Sequence, residues 1–330
     1  MGEDAKAELQ KSSAPWLSVL MPVYNGAKTL SETLQSLVGQ ADGVEVILID
    51  QGSSDESANI ARGFSEALDI QVIPAPQNEN WVQNTNQALT LARAPRSTLL
   101  HQDDIWAPNR TAVLKKLFAD YPEASLWVHG SNYIDALGEC VGSLAPAFGD
   151  TAAKLSSEEA LATLIVQNTI ALPAAAFPTD LARDLGGLDE TLWYTADWNL
   201  WLGLASKGSI GWSPERAASF RLHSGSLTIS GSKDLDDFAT QLAIPVERYR
   251  SALPKSEELR AIRKAELSNT LNVWLASVFN GARRPVLPVV SGFWRVGPLG
   301  WPRFFAESRI WSRTMPRLRL KLGRRLLRHE

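Results

Sequence analysis

The chain has 330 residues, 45% of them hydrophobic, with 33 basic and 36 acidic side chains and a single cysteine. That length and apolar content bury at least one large core, and the lone Cys140 excludes an internal disulfide framework and fits a reducing, cytoplasmic setting. The net charge of −3 hides an asymmetry: residues 281–330 hold twelve Lys and Arg against Glu307 and Glu330, which leaves 21 basic and 34 acidic residues in 1–280.

Met1 to Ala14 is polar and charged, carries no secretory signal and is expected to be a disordered arm. Leu17 to Met21 reads as a strand entering the turn Pro22-Val23-Tyr24-Asn25-Gly26. Leu30, Leu34, Leu37 and Val38 then fall at helical spacing. Val44 to Asp50 is a second strand, running into Gln51-Gly52-Ser53-Ser54-Asp55 and a helix near Glu56 to Leu68. Ile70 to Pro74 is a third, followed by a helix over Trp81 to Ala92. Ser97 to His101 is the fourth, and it delivers the adjacent carboxylates Asp103 and Asp104. Strands alternating with helices of about a dozen residues predict a Rossmann-like, mostly parallel α/β sheet flanked by helices, with its ligand over the loops that follow the strands.

The charge-free run Ala160 to Thr179 is long enough to span a bilayer, but Gln167, Asn168, Thr169, Pro173 and Pro178 interrupt it. It is expected to be buried helix, turn and strand. The first strand-to-helix turn offers Gly26 alone, so the G-x-G-x-x-G fingerprint is missing, and no G-x-x-x-x-G-K-[ST] loop occurs. Phosphate charge must be neutralised some other way, and two acids at a strand's end suit a divalent cation, Mg or Mn. Two like charges about 4 Å apart repel by roughly 4 kcal/mol at an effective dielectric near 20, so the unmetallated pair would oppose a diphosphate.

Leu17 to Gly26, Val46 to Asp55 and His101-Gln102-Asp103-Asp104 together resemble the family 2 glycosyltransferases of GT-A fold, in order and in spacing. The likeness continues through Leu185-Gly186-Gly187-Leu188-Asp189-Glu190, Ala196-Asp197-Trp198-Asn199-Leu200-Trp201-Leu202 and Phe220-Arg221-Leu222-His223-Ser224-Gly225-Ser226, so it covers about Leu17 to Thr228. The resemblance implies that Asp50 bonds the donor's base, with Pro22, Tyr24 and Asn25 shaping the same pocket and Asn86 nearby. It implies that Asp103 touches ribose or shares the metal and that Asp104 binds the cation directly. It also implies Asp197 as general base of an inverting transfer, a carboxylate taking the acceptor's proton. Arg221 and His223 alternate with Phe220 and Leu222, so both are expected on the cleft face, Arg221 pairing with phosphate or buttressing an acid and His223 completing the cation's shell. Gln51, Ala196 and His101 depart from the family's usual residues.

Beyond Ile229 the motifs stop. Leu235 to Ser251 and Glu257 to Phe279 read as amphipathic helices. Trp294, Trp301, Phe304, Phe305, Ile310 and Trp311 interleave with the arginines of the last fifty residues, a pattern suited to the interface of an anionic membrane rather than to nucleic acid. The expected organisation is an arm over 1–14, a GT-A domain over 15–230, a helical extension over 231–280 and a basic aromatic tail over 281–330 that sits peripherally on the inner membrane face. The expected activity is transfer of a sugar from a nucleotide-diphosphate donor to a hydroxyl of a glycan or lipid-linked saccharide, in polysaccharide or cell-surface glycan synthesis. The alternative, motivated by Gln51, Ala196 and His101, is a catalytically inactive nucleotide-sugar binding or scaffold protein.

Overall fold

The computed structural model describes residues 14–77, 80–223, 234–282 and 284–326. The expected arm, apart from Ala14, and the Ser224 to Thr228 end of the last motif lie outside the described residues.

Two apolar strands form the centre, β1 (Leu17–Val23) and β2 (Val44–Asp50), and every residue of both is buried. A strand buried on both faces needs helices on both, and the period of two divides its side chains between them. Leu20, Ile47 and Ile49 enter one core; Leu17, Val19, Met21, Val46 and Leu48 enter the other. The second core is closed by α1 (Leu30–Gln35), α2 (Ser57–Arg62) and α4 (Arg110–Asp120). The first is closed by α3 (Trp81–Leu91), α5 (Ser157–Leu164), α7 (Ala196–Ala205) and the helices that follow. The second helix is shorter than the expected span to Leu68, because after Arg62 the chain tightens into successive three-residue turns, Phe64 N–H to Ala61 C=O and Ser65 N–H to Arg62 C=O.

The sheet order is β3-β2-β1-β4-β9-β6-β10-β5, where β3 is Asp69–Pro74, β4 Arg96–Leu99, β5 Ile105–Trp106, β6 Leu126–Ile134, β9 Ala175–Pro178 and β10 Ile210–Arg221. The first four strands are parallel, β9 runs antiparallel between β4 and β6, and β6 pairs parallel with β10. Two short strands, β7 (Cys140–Leu144) and β8 (Ala153–Leu155), pair with β6 and β10. The Rossmann-like half is thus the parallel quartet, and the whole is a mixed sheet. The run Ala160 to Thr179 is buried helix, turn and strand as expected, ending in β9 and the start of α6 (Thr179–Asp184). Among the described residues, no helix is long and apolar enough to cross a membrane.

Beneath the sheet, Glu45 is buried on β2. Burial alone would raise its carboxyl, but bonds from the Ser18 hydroxyl and from the Arg93 backbone and guanidinium outweigh that and hold it below its ordinary value of 4.5. It ties the ends of β1, β2 and α3 to one point.

The C-terminal third folds back onto this body as α8 (Leu235–Tyr249), α9 (Lys255–Phe279), α10 (Leu287–Val296), α11 (Trp301–Ser308) and α12 (Ile310–Leu326). Phe304 is fully buried in the first core, and Lys264 on α9 forms a buried ion pair with Glu307 on α11. The segment expected to lie out as a tail is therefore packed helix. Several of its arginines spend their charge on the acidic body: Arg284 on Asp236, Arg295 on Glu266, Arg303 on Glu257 and on its own helix's Glu307.

Candidate active site

Because β1, β2 and β4 are parallel, the loops after them share one edge, and a cleft of about 550 Å3 opens there. The turns after β1 and β2 clasp each other. Ser53 Oγ accepts from Asn25 N–H at 3.0 Å, Asn25 Oδ1 accepts from Ser54 N–H at 2.9 Å, and Ser57 Oγ accepts from Gly26 N–H at 2.8 Å. Asn25 takes a left-handed φ of 47° to make these contacts, a conformation asparagine tolerates better than most residues. Gln102 stitches the next loop to the same turn, accepting from Tyr24 N–H at 2.7 Å and donating to Tyr24 C=O at 3.1 Å. Pro22 and Tyr24 line the cleft as expected, and Tyr24 is 51% exposed. Asn25 holds the loops together and does not line it. Asp50 accepts from Ser53 N–H at 3.2 Å within its own turn, and Gln51 beside it reaches the cleft wall.

The two adjacent aspartates point in opposite directions. Asp103 lines the cleft, with His223 Nε2 2.8 Å from its Oδ2. Asp104 is 1% exposed and faces the interior, where its Oδ1 accepts from Arg221 N–H at 3.0 Å and its Oδ2 has no hydrogen-bond partner. Burial, then the charge of Asp103, pushes the Asp104 carboxyl well above the usual range. Buried Arg110 lies near it, its guanidinium 4.4 Å from the Trp106 ring and pushed down to about 9 by burial. Asp104, expected to hold the cation directly, is turned inward instead: the turn closed by Asp104 N–H to His101 C=O at 3.2 Å sends the two carboxylates to different sides, and the side facing the cleft belongs to Asp103.

Arg221 takes the second of its two expected roles, as a buttress, and not from the cleft face. β10 ends at Arg221, so the alternation that would have paired it with His223 on one face does not continue. Its side chain is buried, donating to Asp103 C=O at 2.8 Å and Asp135 C=O at 3.1 Å and pairing with Glu32 at 2.6 Å. It braces the Asp103 loop from behind. Asn86 is likewise a brace: its amide donates to Leu188 C=O at 2.9 Å and Glu190 Oε1 at 3.0 Å, and its oxygen accepts from Leu188 N–H at 2.8 Å. It fixes α3 to the Leu-Gly-Gly-Leu-Asp-Glu turn and is absent from the cleft wall.

Across the cleft, α7 presents Asp197 in its first turn. Burial raises its carboxyl to about 6, against the lowering effect of bonds from Trp198 N–H at 2.7 Å and Asn168 Nδ2 at 2.9 Å. Asn168 reaches this position because β9 is antiparallel, which brings the chain entering it, Gln167 to Leu172, to the open edge. No spacing in the sequence signalled it: it is the middle one of three polar residues, Gln167 to Thr169, that interrupt an apolar run. Trp81, His101, Trp193 and Tyr194 add an aromatic lining, with His101 5.2 Å from the Trp81 ring and its pKa lowered by burial. Arg313 and Arg317 of α12 also enter the wall.

Among the described residues, no three His, Cys, Asp or Glu side chains converge on one point. The cleft offers Asp103 and His223, a hard oxygen and an imidazole nitrogen, which suit Mg or Mn when substrate oxygens complete the shell.

The site is thus a cleft over the carboxyl ends of parallel strands, with a carboxylate–imidazole pair on one side and a raised carboxylate on the other. Residues 18–160 match the family described as Glycosyl transferase family 2. The chain is 25% identical over 236 residues to an uncharacterized glycosyltransferase of Rickettsia prowazekii, covering 69% of this chain and 71% of that one. Its fold is shared with S. aureus TarS in complex with UDP-GlcNAc, at TM-score 0.66 and 17% identity over 84% of this chain and 79% of the other. It is shared too with the mannosyltransferase PcManGT from Pyrobaculum calidifontis in complex with GDP-Man and Mn2+, at TM-score 0.54 and 18% identity over 93% and 92%.

Proposed function

We propose that this chain is a glycosyltransferase that moves a sugar from a nucleoside-diphosphate donor to a hydroxyl of a glycan or lipid-linked saccharide, with inversion at the anomeric carbon. The observation that carries the reading is Asp197, a carboxylate raised to about 6 on the wall facing Asp103 and His223 across one cleft. The donor's base stacks near Tyr24 and Pro22, with Gln51 and the Asp50 turn offering polar contacts. Asp103 and His223 would hold Mg or Mn, which would supply Lewis-acid stabilisation of the diphosphate leaving group. Asp197 takes the proton from the acceptor hydroxyl as its oxygen attacks the anomeric carbon and the bond to the diphosphate breaks on the opposite face. Donor complexes of the TarS and PcManGT folds support the donor class.

Asp197→Asn should lower kcat by about 10²–10⁴-fold while leaving the donor dissociation constant within twofold. Asp103→Asn should instead weaken donor binding in the presence of Mn. Steady-state transfer assays beside calorimetric donor titrations separate the two, and full turnover by Asp197→Asn would remove it as the base. Donor binding by the wild type without transfer to any acceptor would favour the scaffold reading.

The lipid-linked form of the acceptor fits the outer face of α10 to α12. Trp294 and Leu299 are 87% and 99% exposed there, with Leu287, Val290 and Trp311 also open to solvent. Replacing Trp294 and Leu299 together by Ser should weaken sedimentation with anionic vesicles, and unchanged sedimentation would remove the membrane surface as a partner.

A further inference from the structure

Two arginines on the cleft wall are unaccounted for by donor binding or proton removal. Arg313 and Arg317 lie one turn apart on α12, so their side chains share a face, and both line the cleft. Neither is within salt-bridge distance of a described carboxylate, in contrast to Arg284, Arg295 and Arg303 earlier in the same segment. Their neutral partners orient them: Arg313 donates to Asn272 Oδ1 at 2.9 Å and Ser308 C=O at 3.2 Å, and Arg317 donates to Arg313 C=O at 2.5 Å. Burial, then the charge of Arg317, lowers Arg313 to about 10. Two cations held together in a partly buried wall, without a counterion among the described residues, form a site for an anion.

The position of the pair indicates which anion. Asn272, which orients Arg313, also donates to Gln167 Oε1 at 2.7 Å, and the next residue, Asn168, holds Asp197. The arginines therefore belong to the wall of the proposed base, the wall that an acceptor must touch. The donor loops are organised separately, by Gln102, Ser53 and Ser57.

We infer that Arg313 and Arg317 bind a phosphate carried by the acceptor, which makes the acceptor a phosphorylated glycan or a lipid phosphate rather than a neutral sugar. This inference rests on the glycosyltransferase reading given above.

The test is calorimetry on the full chain. UDP and GDP are titrated first, with Mn. The nucleotide-loaded protein is then titrated with glycerol 3-phosphate in solution and with farnesyl phosphate in detergent micelles. The expected result is binding of at least one phosphate probe, weakened tenfold or more in Arg317→Gln and partly recovered in Arg317→Lys, with nucleotide affinity unchanged within twofold. Equal affinity for both probes would assign the site to the phosphate itself, and preference for farnesyl phosphate would assign it to a lipid carrier. Arg317 bonds a carbonyl of its own helix and the Tyr133 side chain, so Arg317→Lys, which keeps a donor there, controls for lost packing; Arg313→Gln serves as the second variant. Probe binding unchanged in both variants, or absent from the nucleotide-loaded wild type, overturns the inference. So does a loss of nucleotide affinity in the variants, which would give the pair to the donor. Failure of the wild type to bind any nucleoside diphosphate would instead overturn the glycosyltransferase reading on which this one stands.

Discussion

At the scale of single residues, the chemistry turns on how Asp197 is held. Its carboxyl is raised to about 6 by burial, so a proton leaves the folded protein later than it would leave a free aspartate. A base works only when ionised, so kcat should fall as pH drops through about 6, measured with donor saturating. Asn168→Leu removes a bond to the charged form, which should push the acidic limb to higher pH, and an unmoved limb would show that Asn168 does not tune the base. Asp197 was singled out through the resemblance carried by Ala196 to Leu202, and the structure places it in the first turn of α7. Asn168 was not, since its role depends on an antiparallel strand that no local pattern announces. Asp103 and Asp104 show a related limit: the pair stood out as chemistry, but which member faces the cleft is decided by Arg221 and Arg110, far apart in sequence.

Elements are joined here by polar staples at glycine-bearing turns. Gly187 has φ +71°, and a Cβ on it would lie 2.5 Å from Asn86 Oδ1, the atom that fixes α3 to the turn leading toward α7. Gly187→Ala should cost about 1–3 kcal/mol through the left-handed backbone alone, read as a lowered urea midpoint. It should also disturb the approach to Asp197, so kcat should fall more than donor affinity does. A variant as stable as wild type would mean that the turn relaxes without strain. Strand and helix periodicity made β1, β2, β3 and α3 readable, whereas the bonds of Asn86 to the Leu188 turn were not, because a polar side chain on a helix gives no sign of what it faces.

For the whole molecule, the C-terminal helices complete the fold instead of trailing from it. The buried Lys264–Glu307 pair fastens α11 to α9, and burial lowers the lysine's pKa against the opposing pull of Glu307. Glu307→Gln strands that ammonium in the core and should cost about 3–5 kcal/mol in chemical denaturation, while replacing both partners by apolar residues should cost far less. Equal losses for the single and double changes would show that packing and not charge is at stake. Composition located the acid–base asymmetry between body and C-terminal segment, but not its use, because Arg284, Arg295 and Arg303 meet their acids only after the chain has folded back. Arg221 adds a consequence of another kind. Its guanidinium joins the Asp103 loop, the turn after β6 and Glu32 of α1, the last of these 189 residues away along the chain. Contacts so distant in sequence close slowly, since loop entropy must be overcome before they form. The carboxylate that faces the cleft is thereby set late in folding, and refolding kinetics followed by donor binding should lag those followed by helix content.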